Sequence, residues 1–512
     1  MKRITLIAIL LGLGAICTQA GNVVNNQVLK EMNFRNTPWM GSGNTAGLSF
    51  KPFQIYKDLG LNFDYTSGEF HTQQGADKIR QISANTSGAA YLGKFLIWGN
   101  FSYNNIKEKG CTNNVLMYDV DEDMPYYPID TTKNNHWNKQ EYLLSAKLAS
   151  PVIWDKVSFG VDLNYENKVG AKQIDPRAET YKYMIDVKPG AVVRLGNHYI
   201  GLNAHIRNSA EEADPSNMNN WKDQAAYIHK GLGESTLTVV GGNTGLKNYM
   251  FKNQIYGGRL QYAYHQDIDL LVEAGYDLVY NNVKSEPRLP KPEGSTKGSV
   301  IEAKIDVLFG DSKSDHIWVD GQIRNTTGTE YVVTIVSESN TMQYWRIDAE
   351  NPMSDYTHTV VKFGYDHIFG ADDKRGYDWI VGIDGNFTMR QEEYYLPVST
   401  YNYTYANAEV FGGKHFKFKK SSLLIKVNGG YNLSLGSDYQ YTGPKPNYEP
   451  VAMYKNNCAF YNLSYAKAGG LVSYTLNSEK IGYIFNVKAD YIKPIGATTN
   501  RVITMASLGI VF

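Results

Sequence analysis

From residue 53 onward, apolar and polar positions alternate in runs of about ten residues, the span of a bilayer-crossing β-strand. Residues 376–390 show it best: Tyr377, Trp379, Val381, Ile383, Phe387 and Met389 share one face, and Asp378, Asp384, Asn386, Thr388 and Arg390 share the other. Residues 268–280 and 480–492 repeat the pattern. Successive side chains of a strand point to opposite sides, so each run predicts one apolar and one wet face. The last stretch, 501–512, alternates back from Phe512 through Ile510, Leu508 and Ala506. An apolar face that ends on an aromatic predicts the closing strand of a transmembrane barrel.

Connections between the runs alternate between short and long. Short ones fall at 92–94, 151–156, 196–198, 266–267, 310–315, 370–374, 417–421 and 476–479. Most of those between them are long: 66–83, 105–139, 166–179, 208–252, 281–298, 326–354, 392–397, 434–457 and 493–500. This predicts an all-β, antiparallel, up-and-down barrel with tight periplasmic turns and long extracellular loops. Eight short-turn hairpins, an opening strand at 58–65 and the closing strand give about 18 strands, within a range of about 14 to 18. Parity breaks within 398–416 and 459–474 read as bulges. Tyr65, Tyr103, Tyr142, Tyr165, Tyr280 and Tyr491 fall on the apolar face near the outer ends, and Phe95, Phe309, Phe369, Tyr377 and Phe512 near the inner ends. Two aromatic girdles follow.

The front of the chain adds an address. Lys2 and Arg3 precede the apolar run 4–16 and a small-residue site ending at Ala20, so residues 1–20 read as a cleaved signal peptide. Residues 21–52, turn-rich and carrying Trp39, are expected to form a periplasmic tail or a short plug in the lumen, and 53–512 the barrel. The formal net charge is zero, which gives no argument for nucleic acid. The expected location is the cell outer membrane. Outer-membrane lipid, lipopolysaccharide and the barrel-assembly machinery, acting on the closing strand, are the expected partners. Beyond the leader, Cys111 and Cys458 both fall in external loops, where a bridge is permitted but two unpaired residues are the simpler expectation.

Inward positions carry both signs of charge. Asp269, Glu273 and Asp277 form the clearest single-sign ladder, and with Arg259, Asp320 and Arg324 they are the candidates for tuning selectivity. Cross-strand ion pairing is the alternative for each. Asp119, Asp121 and Asp123 stand at alternate positions of an acidic loop, a spacing calcium favours, although Met124 stands where an EF-hand-type loop needs glycine. No histidine stands in a recognisable catalytic motif, so neither an enzyme nor a cofactor is expected.

Asn44-Thr45-Ala46-Gly47-Leu48 resembles the Asn-Pro-Ala-Gly-Leu element of fatty-acid-transporter-like outer-membrane barrels, with Thr45 in the proline position. In those barrels an N-terminal segment forms a hatch, so the resemblance implies plugging roles for Trp39, Asn44, Gly47 and Leu48. With its Tyr- and Asn-rich strands, the whole chain looks more like a Bacteroidota family of outer-membrane barrels of unassigned activity. The leading expectation is passage of a small solute, by diffusion or through a gated hatch. The alternative is a surface-binding barrel whose long loops hold a protein or glycan.

Overall fold

The computed structural model describes residues 26–51, 53–112, 115–119, 123–219, 223–240, 245–246, 248–286, 289–339, 342–372, 374–478 and 481–512. The expected leader and Asp121 lie outside them. Twenty-one strands are present among the described residues, beginning with β1 (Tyr56–Ser67), β2 (Lys78–Leu92), β3 (Phe95–Cys111), β4 (Tyr127–Asp130), β5 (Asn135–Ala149), β6 (Val157–Lys172), β7 (Arg177–Leu195) and β8 (His198–Ser216). Then come β9 (Gln224–Gly231), β10 (Glu234–Val240), β11 (Tyr249–His265), β12 (Asp269–Ser285), β13 (Lys291–Phe309), β14 (Asp315–Ser339) and β15 (Met342–Phe369). The chain ends with β16 (Trp379–Tyr395), β17 (Val398–Lys417), β18 (Ser421–Tyr441), β19 (Tyr465–Asn477), β20 (Gly482–Pro494) and β21 (Arg501–Val511).

Eighteen of these form one antiparallel sheet in chain order, and β1 closes it against β21 from Asp58 opposite Val511 to Ser67 opposite Val502. The Phe512 amide and carbonyl bond to Lys57, at 2.9 and 2.8 Å, so the last residue is part of the seam. The strands that flank each short connection expected from the sequence are paired neighbours in the barrel. Outward positions such as Leu59, Leu61, Phe63, Leu260, Val410 and Phe485 are exposed. Inward neighbours such as Asp58, Asn62, Asp64, Arg259, Gln261, Glu409 and Asn486 are polar, the pattern of an apolar outer face around a polar lumen.

Three expectations are corrected. The strands are longer than about ten residues, reaching 28 in β15, because hairpin pairing continues past the apolar band at the long-loop end. The long connections are not all loops. Glu449–Tyr461 is a helix begun by Pro450, so the parity break near 459 is a helix end rather than a bulge. Tyr377 does not join the aromatic girdle: it precedes β16, is fully buried, and its hydroxyl donates to Glu31 at 3.1 Å.

Two insertions occupy the barrel. At the short-turn end lie the helix Gln27–Arg35, whose Asn26 cap accepts from the Leu29 amide at 2.8 Å, and two 3-10 turns, Pro38–Met40 and Thr45–Ser49. At the long-loop end, β4 pairs with β9 and β9 with β10, forming a separate three-stranded sheet. Its Tyr127, Ile129, Ala226 and Val240 share one apolar core with Ala213, Tyr249, Phe251 and Val283 of the barrel wall.

Candidate functional site

The N-terminal segment is fitted to the wall by shape and by charge. Val28 and Met32 pack with Ile368, Tyr377 and Leu424 on one side of the barrel. Leu29, Trp39, Leu48 and Phe53 pack with Ala89, Ala149, Val192 and Leu271 on the other. Burying each of these large side chains contributes about 2 kcal/mol, so apolar packing supplies most of the holding energy. Four ion pairs then fix the orientation: Lys30 to Asp58, Glu31 to Lys426, Arg35 to Asp366 and Lys51 to Asp269.

Glycines make the seat. A Cβ at Gly160 would meet the Ala46 amide at 2.4 Å, and one at Gly190 would meet Asn44 Oδ1 at the same distance. One at Gly201 would fall 2.9 Å from Asn44 Nδ2. Asn44 fills that seat completely. Its Nδ2 donates to the Ala191 carbonyl, the Leu202 carbonyl and Gln261 Oε1 at 3.0, 3.2 and 2.9 Å, and its Oδ1 caps the Ala46 amide. The wall glycines were missed in the sequence. Their signal was available: glycine at inward positions of three successive strands.

Against the N-terminal segment lies a chamber of about 430 Å³, bounded by Gly41 and the barrel wall. Lys188, Arg207, Arg259, Lys304, Arg324 and Lys362 line it, with Glu273, Asp277, Glu302 and Asp320 among them. The acidic ladder is divided among separate partners. Asp269 sits below, paired with Lys51, Lys313 and His265. Glu273 accepts from Ser42 at 2.6 Å and Gln261 at 2.9 Å. Asp277 takes a two-pronged contact from Arg259, at 3.0 and 2.8 Å, and a third from His205 at 2.9 Å. Arg259 also reaches Glu302. By contrast, Asp320 stands opposite Lys304 and Lys362 on neighbouring strands and makes no ion pair among the described residues.

The acidic loop does not converge. Asp119 pairs with Lys168 and Lys182, whereas Asp123 pairs with Arg324 at 2.6 Å and Arg390 at 3.2 Å. Among the described residues no group of three metal-ligating side chains forms. Cys111 and Cys458 are free thiols in different apolar clusters.

A family model described as "Family of unknown function (DUF6850)" matches residues 45–512. The chain belongs to that family. No curated protein matches it. Solved structures similar to this DUF6850 barrel include the ferric yersiniabactin uptake receptor FyuA from Yersinia pestis, 8% identical with a TM-score of 0.40, over 90% of this chain and 79% of that one. Others are the RagAB peptide transporter, at 7% and 0.38 over 89% and 86%, and a TodX deltaS2S3 mutant monoaromatic hydrocarbon channel, at 12% and 0.31 over 91% and 92%. Likeness at this level carries no functional argument.

Proposed function

We propose that this protein is an outer-membrane transporter that passes a small polar solute through a lumen gated by its N-terminal segment. The short-turn end is then periplasmic and the long-loop end external, with lipid and lipopolysaccharide around the apolar band and the closing strand as the signal for the assembly machinery. By its resemblances we group it with Bacteroidota barrels. The observation that carries the reading is the charged chamber that the barrel wall forms against the N-terminal segment. A wide barrel passes solutes unless its interior is filled. At the short-turn end the filling is a short segment, separate from the barrel strands and oriented by four ion pairs, which is the construction of a removable hatch. The chamber side chains that can meet a polar solute are Asp320, Lys304 and Lys362, because Arg259 and Asp277 already satisfy each other.

Single-channel conductance in a planar bilayer tests this. The full protein is expected to be silent, and a form lacking residues 26–51 to conduct steadily. Silence from both, with folding verified by heat-dependent gel migration, overturns the transport reading.

A further inference from the structure

A second cavity, of about 490 Å³, lies at the long-loop end beside the three-stranded sheet, within the roughly 300–1,000 Å³ usual for small-ligand sites. Gln74 from the β1–β2 connection, Tyr401 and Tyr403 of β17, Tyr454 and Tyr461 of the loop helix, and Arg501 of β21 are among its lining. We propose that it binds a soluble acidic disaccharide of the uronic-acid type. This goes beyond transport and does not depend on it.

The wall is built before any ligand arrives. The Tyr403 and Tyr461 rings stack at 4.0 Å and 3°, and Tyr401 stands edge-on to Tyr454 at 5.2 Å. Rings locked in this way lose little freedom on binding. Gln74 is held by Asn457, whose Nδ2 donates a hydrogen bond to Gln74 Oε1 at 3.0 Å.

Two groups define the ligand. Tyr401 is only 4% exposed, and its hydroxyl oxygen is buried without a hydrogen-bond partner. Such a group carries the cost of lost hydration until something bonds to it. A ligand hydroxyl removes that cost; the body of an aliphatic or aryl acid does not. The other group is Arg501. Its guanidinium donates to the Gly68 and Ala76 carbonyls at 3.0 and 3.2 Å and has no carboxylate within ion-pair distance among the described residues. The other lining cations are matched, Lys139 by Glu108 and Arg390 by Glu392. Arg501 is therefore the charge left for an anion. A carboxylate on a hydroxyl-rich ring supplies both partners, and tyrosine with amide side chains supplies its remaining contacts.

The test is calorimetric titration of the full chain in detergent with digalacturonate and, separately, neutral cellobiose. Digalacturonate is expected to bind, and Arg501→Gln to weaken it roughly tenfold, as loss of a charge-assisted contact should, without changing cellobiose. Tyr401→Phe is expected to weaken digalacturonate about fivefold while leaving heat-dependent gel migration unchanged. Should Arg501→Gln not fold, Tyr401→Phe decides alone. No heat with the wild-type protein, cellobiose binding as tightly as digalacturonate, or binding unaffected by the folded variants overturns the proposal.

Discussion

Gly47 lies against the indole of Trp39 so closely that a Cβ at position 47 would fall 1.9 Å from Trp39 Cδ2. No rotation of a flexible side chain relieves this, because Trp39 is fully buried and its Nε1 donates to His265 Nε2 at 3.3 Å. Gly47→Ala is therefore expected to lift the 3-10 turn from its seat, at about 1–3 kcal/mol for overpacking. Openings in a planar bilayer should become frequent while the barrel stays folded. Trp39→Leu in the same chain makes room, so the double variant should open less often than Gly47→Ala alone, a coupling that a double-mutant cycle reads directly.

The four ion pairs are not equivalent. Arg35 serves Asp366 and also donates to the Lys313 and Ser314 carbonyls, both at 2.8 Å, from a side chain 6% exposed. Removing it leaves Asp366 with His316, at 3.0 Å, and the Ser314 carbonyl with the Ile368 amide, but leaves the Lys313 carbonyl without this donor, a loss of about 1–3 kcal/mol. Lys51 is the weaker case, since Asp269 keeps Lys313 and His265 when it goes. Arg35→Ala should raise hydrogen exchange across residues 27–35 by at least an order of magnitude, and Lys51→Ala by much less. Equal effects would mean that the charges do not set the seat.

The barrel was legible in the sequence because an apolar outer face and a polar inner face impose a period of two. Each outward residue such as Leu508 or Phe485 announces its neighbour as inward, and the tight turns follow wherever the pattern breaks briefly. That rule fails where both faces meet protein. Ala226 and His229 of β9 and Ser235 and Val240 of β10 are buried against other protein, and the turn between the strands, Leu232-Gly233, has positive φ at both positions without the usual Asn-Gly. Tyr377 was misplaced for a related reason: parity assigns a face only within a strand, and it lies just outside one. The acidic ladder of β12 was legible as charge but not as pairing, since Lys51, Arg259 and His205 reach it from other strands and from the N-terminal segment.

Asp123 ties the three-stranded sheet's approach to the wall through two guanidiniums, Arg324 beside the charged chamber and Arg390 beside the tyrosine-lined cavity. Asp123→Asn leaves the size of the side chain and removes the charge between them. The lid sheet should then exchange amide hydrogens at least tenfold faster over residues 127–130 and 224–240, the scale of losing one buried charge-assisted contact. Unchanged protection would show that the apolar core around Ile129 and Tyr249 suffices.

His229 makes that sheet sensitive to acid. The ring is buried, stacked on Tyr454 at 5.6 Å and tilted against Tyr127, and Glu234 is the nearby charge. Its Nδ1 donates to the Pro125 carbonyl at 2.8 Å and its Nε2 accepts from the Gly233 amide at 3.2 Å, which assigns the neutral tautomer from the bonding pattern. Burial pushes its pKa down to about 4. An exposed histidine titrates near 6.5, so the unfolded sheet binds the proton first. The stability that neutral His229 supports is complete above about pH 6.5 and is lost as the pH falls from there towards about 4. Protonating Nε2 also takes away the acceptor of the Gly233 amide. Hydrogen exchange of residues 224–240, corrected for the intrinsic pH dependence, should accelerate across that window in the wild-type protein. His229→Gln is expected to exchange faster at neutral pH but to show no such step. A step that survives in the variant would assign the acid response to another group.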